Sequence, residues 1–92
     1  MRIISQGGKI DLPYEQISIS IDCDDERTII AYAVSSGTIW ELAEYSKKEK
    51  AAKAMEMLRT EYEKFQETKS INGSYFTLDY PKVFRFPLDS GV

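Results

Sequence analysis

Five consecutive residues, Asp22-Cys23-Asp24-Asp25-Glu26, set four carboxylates around the chain's one thiol. Such a cluster invites a hard cation, but a calcium loop needs ligands at fixed alternate positions, a glycine at its sixth position and a glutamate at its twelfth. Counted from Asp22, those positions hold Arg27 and Ala33. The run reads as a solvated turn, and no metal is expected. A second cluster is cationic. Lys47, Lys48, Lys50 and Lys53 crowd the start of an expected helix, where exposed N–H groups favour phosphate. Glu44 and Glu49 precede Lys48 and Lys53 by four residues, a spacing that offsets charge on a solvated face. Lys47 and Lys48, with Arg59, Lys82 and Arg85 for further charge and Trp40 or Tyr75 to stack on a base, form the candidate anion or nucleotide set.

Catalysis has little to work with. The chain has no histidine, which removes the usual general base near neutral pH, the usual zinc ligand and every Ser-His or Cys-His arrangement. No G-x-G-x-x-G, P-loop or C-x-x-C is present. The protein is therefore read as a non-enzyme, and no cofactor is expected. Net charge is −3, unevenly placed: residues 10–46 carry eight acids against Arg27 alone, and residues 47–69 carry seven bases against five acids. An acidic half without a basic stripe makes direct nucleic-acid binding a poor reading. Asp22, Asp24, Asp25, Glu26, Glu41 and Glu44 instead form a candidate protein-binding surface for a basic partner.

The elements that must position these groups follow from pattern. Residues 2–5 read as a strand, Gln6-Gly7-Gly8-Lys9 as a tight turn using the positive φ of glycine, and residues 10–12 as its return strand, ended by Pro13. Ile17, Ile19, Ile21 and Cys23 alternate with Ser18, Ser20 and Asp22, a strand with one dry face. Residues 24–27 turn the chain. Residues 28–34 are apolar on both faces, as a central strand would be. After Ser35-Ser36-Gly37, residues 38–45 form a further strand with Trp40 and Leu42 on one face. Ser46 and Glu49 fit a capping box, and a helix to about residue 69 lines Ala51, Met55, Leu58, Tyr62 and Phe65 on one side. Asn72-Gly73 closes it, residues 75–80 read as a last strand, and Pro81 and Pro87 bracket a KVFRF arm. In that arm Val83, Phe84 and Phe86 suit either packing on the chain's own helix or adding a strand to another copy. The fold expected is α+β: an antiparallel meander packed against one long helix, with a C-terminal strand or arm, all in one domain over residues 1–92.

Length and composition agree with that frame. Ninety-two residues, 42% hydrophobic and 29% charged, make one ordinary globular domain near the lower end of a self-sufficient core. No apolar run is long enough to span a bilayer, and the first residues lack a signal-peptide pattern. A single cysteine fits a reducing cytoplasm.

The opening MRIISQGGKIDLPYE, the central IIAY and WELAEYS, the helix EKAAKAMEMLRTEY and the late KVFRFP together resemble a family of small uncharacterised proteins of phages and prophages of Gram-positive bacteria. The resemblance covers nearly the whole chain in order and transfers no catalytic residue. Where the family tends to have Thr-Glu-Glu after Tyr-Ser, this chain has Lys47-Lys48-Glu49. What the resemblance implies is context: an accessory or counter-defence factor in the host cytosol, acting stoichiometrically. Three expectations follow. The acidic surface caps a host protein, the cationic and aromatic set sequesters a nucleotide signal, or the arm builds an oligomer with no inhibitory role.

Overall fold

The computed structural model describes residues 1–72 and 83–92, with side chains for 1–64 and 83–92. Strands β1 (Arg2–Ile4), β2 (Asp11–Pro13), β3 (Ser18–Ile21), β4 (Thr28–Ala33) and β5 (Thr38–Glu44) precede helix α1 (Lys48–Asn72), and strand β6 (Val83–Arg85) follows it. The strands form two three-stranded sheets, β2-β1-β6 and β3-β4-β5. With the long helix this is an α+β fold. The expected strand over 75–80, the Gly73 exit, and the positions of Tyr75 and Lys82 lie outside the described residues.

The first hairpin differs from the expected tight turn. The Ser5 amide donates to the Ile10 carbonyl (2.8 Å), and the Ser5 hydroxyl accepts from the Ile10 amide (3.1 Å). A four-residue loop is thereby enclosed, and within it only Gly8 takes a positive φ, +78°. That positive φ is what asks for glycine there; a Cβ would also lie 2.8 Å from the Arg85 Nη2 atom, the mobile tip of a long side chain that can step aside. Pro13 does not stop pairing before itself. It occupies the last rung, opposite Arg2, which an edge strand tolerates because its missing N–H faces away from the ladder.

The second sheet is the expected meander. β4 is central, with Ile19 and Ile21 opposite Ala31 and Ile29 on one side and Trp40 and Ala43 opposite the same residues on the other. Ile29, Ala31 and Ala33 are buried, whereas Tyr32 on the opposite face is 40% exposed. On that face cover runs out along the strand, from buried Thr28 through half-buried Ile30 to Tyr32. Register shifts beside Ile29/Ile30, so that Ile29 faces Ala43 while Ile30 faces Glu41. Leu42 is the extra residue of a bulge, and both Leu42 and Ala43 are buried. Its carbonyl accepts from the Gln6 amide (2.7 Å), the Gln6 Oε1 accepts from the Glu44 amide (3.2 Å), and the Gln6 Nε2 donates to the Pro87 carbonyl (3.2 Å). One glutamine therefore ties the first sheet, the second sheet and the C-terminal segment together.

Helix α1 lays Ala51, Ala54, Met55 and Leu58 into the core, and half-buried Tyr62 stacks on Tyr14 at 4.4 Å between ring centres. The capping box does not form as expected. The Ser46 amide and hydroxyl donate to the Asp89 carboxylate (2.7 and 3.2 Å), which also takes the Lys50 ammonium (3.0 Å). The helix starts one residue later, with the Lys47 carbonyl accepting from Lys50 and Ala51.

The KVFRF arm is used inside its own chain. β6 runs parallel to β1 with Ile3 opposite Phe84, Phe84 and Phe86 are buried, and their rings meet edge to face at 5.1 Å. Val83 alone of the three arm residues faces outward, 54% exposed. Ile3, Ile29, Leu42, Leu58 and Phe86 form the driest part of the core, each stabilising the fold by about 1.5–3 kcal/mol relative to exposure. Among the described residues, no helix is long and apolar enough to cross a membrane.

Candidate functional site

The acidic residues divide by role. In the β3–β4 turn, the Asp22 carboxylate accepts the Asp24 amide (3.0 Å). Asp25 accepts the Arg27 amide (3.1 Å), the Arg27 guanidinium (3.2 Å) and the Thr28 hydroxyl (3.1 Å). These are the side-chain-to-backbone bonds that let aspartate build turns. Hydrogen bonding to Arg27 holds the Asp25 carboxyl below the usual carboxylate range. Asp24 and Glu26 are exposed. Asp22, Cys23 and Asp24 bring their ligand-type atoms within 4.8 Å of one another, with the Asp22 oxygen already engaged in the turn.

Pairing across the sheet brings the remaining acids to this turn. Glu44 lies opposite Thr28 and Glu41 opposite Ile30, and the Tyr45 amide donates to the Arg27 carbonyl (2.9 Å). Glu44 is close enough to Arg27 to help raise its pKa, after the larger effect of Asp25. The outer face of the second sheet then reads in rows: Ser20–Ile30–Glu41 and Ser18–Tyr32–Ile39. Tyr32 is 40% exposed, Ile39 61%, and Val34, just past β4, 71%. An apolar strip thus runs beside Glu41 towards the acidic turn. Val34 and Ile39 were not among the residues expected to bind. Val34 was read into a strand covered on both faces, whereas Ile39 stands on β5, on the face opposite the expected Trp40–Leu42 side.

The anion-binding set does not assemble among the described residues. Trp40 faces Ala31 and packs half-buried against the core, so its ring is no open platform. Lys48 lines a cleft of about 240 Å³ with Ile21, Glu26, Glu49 and Ala52. Arg85 lines a different groove, of about 320 Å³, between β6 and the Lys53–Glu56–Met57–Thr60 flank of α1. Arg59 and Lys47 are exposed and line neither; Arg59 is eleven steps along the helix from Lys48, about 16 Å at 1.5 Å per residue. Both hollows carry glutamates beside their cations, which lowers their attraction for phosphate.

At the C-terminal clasp, the Tyr45 hydroxyl donates to the Pro87 carbonyl (2.8 Å). Burial, with help from the Asp89 charge, pushes the Tyr45 pKa up to about 12. The Ser46 amide and the Lys50 ammonium hold the Asp89 carboxyl below its usual range. This clasp positions the helix. No protein-family model matches the chain, and neither a curated protein nor a solved structure matches it.

Proposed function

We propose that the protein acts by stoichiometric binding to another protein, through the outer face and acidic end of its second sheet. The observation that carries this reading is the Tyr32–Ile39 pair, a large apolar contact left exposed directly beside Glu41. Aromatic and aliphatic groups at the centre of a patch, with charge at its rim, are what desolvating protein interfaces use. Glu41, Glu44, Asp24 and Glu26 suit a partner whose own apolar patch is bordered by lysine or arginine. Combined with the resemblance to phage and prophage proteins, the role is that of an accessory factor inhibiting a host defence protein in the cytosol.

The test is capture of a partner from lysate of a Gram-positive host at low and high salt, with the wild-type chain and with Tyr32→Ser and Glu41→Lys. Retention should weaken with salt and be lost in both variants. A partner held equally by all three chains would remove this face from consideration. Sequestering a nucleotide signal has less support, because Lys48 and Arg85 line separate hollows, Lys47 and Arg59 line neither, and Trp40 is turned inward.

A further inference from the structure

Sheet edges left bare recruit other strands, and proteins blunt them with proline, charge, bulges or covering segments. Among the described residues there are four sheet edges, and three of them are blunted. β2 ends on Pro13 and carries the Arg2–Asp11 ion pair (2.8 Å). β5 has its bulge and is bonded by Gln6. β6 carries Arg85, and Pro87 follows it. Among the described residues β3 has no proline, bulge or covering segment, and charge reaches it only at Asp22, just past its end. From Ile17 to Ile21 it holds only isoleucine and serine, its pairing with β4 is regular, and no other described strand pairs with it.

The backbone phase of β3 is fixed. The Asp22 amide donates to the Thr28 carbonyl (2.9 Å), and bonded residues alternate along an antiparallel ladder. Ser20 and Ser18 therefore exchange bonds with β4, and the N–H and C=O groups of Ile19 and Ile21 point to the open edge. We propose that this edge pairs with the same edge of a second copy, giving a two-fold dimer with one continuous sheet. With the axis at Ser20, Ile19 of one copy lies opposite Ile21 of the other, and each such pair exchanges both backbone bonds.

Several features select a second copy over a foreign strand. The Ser–Ile alternation is its own complement, and with the axis at Ser20 the one charge in the serine row, Asp22, lies opposite Ser18 of the second copy rather than its own counterpart. The cleft beside Ile21 offers both signs, Lys48 against Glu26 and Glu49, so two identical surfaces can approach. Ile19 and Ile21 are only half-buried, and pairing would complete their burial in a chain short enough to benefit.

The inference stands apart from the docking reading, because its test uses the isolated protein. Ser20 is exposed, so Ser20→Lys and Ser20→Glu leave the monomer fold intact, which circular dichroism and melting would verify. Each variant places like charges side by side across the axis. Sedimentation equilibrium should find wild type dimeric, both variants shifted to monomer, and an equal mixture of the two restored to dimer at low salt. A wild-type chain monomeric up to millimolar concentration overturns the proposal. So does dimerisation unaffected by either charge, or a mixture that stays monomeric.

Discussion

Tyr45 and Asp89 show how much of this small protein rests on single polar groups. The Tyr45 hydroxyl sits buried on the Pro87 carbonyl, and its removal in Tyr45→Phe should cost about 1 kcal/mol in denaturant melts. Its pKa of about 12 lies above the unfolded value of about 10. The folded state therefore holds that proton longer, and the stabilisation, complete below the unfolded value, is lost as pH rises through the folded one. Wild type should lose stability between these two values more steeply than Tyr45→Phe. Asp89 works with the opposite sign. Its folded pKa is depressed, so its contribution is full above the unfolded carboxylate value of about 3.9 and lost as pH falls through the folded one. Asp89→Asn should melt below wild type at neutral pH, and the gap should close in acid. A gap that stays constant into acid would mean that the charge is not what holds the clasp.

At the scale of elements, local pattern and distant pairing part company. The 3.6-residue spacing of Ala51, Met55, Leu58 and Tyr62 and the alternation of Ile17, Ile19 and Ile21 were legible, because each is a periodicity within one element. The division into two sheets was not, because β6 joins β1 across some eighty residues and its three residues leave no local mark of their partner. The same holds for the cap. Ser46 and Glu49 have capping-box spacing, yet Asp89 arrives from the far end of the chain with a carboxylate that takes the amide and the Lys50 ammonium together. A bulge such as that at Leu42 depends on what lies across it, and so escapes reading of β5 alone. The candidate docking face was half-legible: its acids were named, Tyr32 and Val34 were read into a strand covered on both faces, and Ile39 was given no role. Because β6 completes the first sheet, Phe86→Ala should remove core packing and cost about 3–5 kcal/mol in chemical denaturation. A loss below about 1 kcal/mol would contradict the burial of this ring.

Taken whole, acids gather at the turn end of the second sheet, while the exposed flank of α1 carries Lys48, Lys53 and Arg59 interspersed with Glu49 and Glu56. Docking on a basic partner by the sheet face and pairing with a second copy by the β3 edge use adjoining but distinct surfaces, so a dimer would carry two copies of the acidic face. The parallel pairing of β1 with β6 has a consequence of another kind, in time. The β3–β4–β5 meander closes through short turns, whereas Ile3 cannot meet Phe84 until nearly the whole chain has looped back, and loop-closure entropy delays such contacts. The meander is then the natural nucleus and the first sheet a late seal. Removing the Phe86 ring should accordingly hasten unfolding far more than it slows refolding, and the protein's lifetime, more than its rate of formation, rests on its last ten residues.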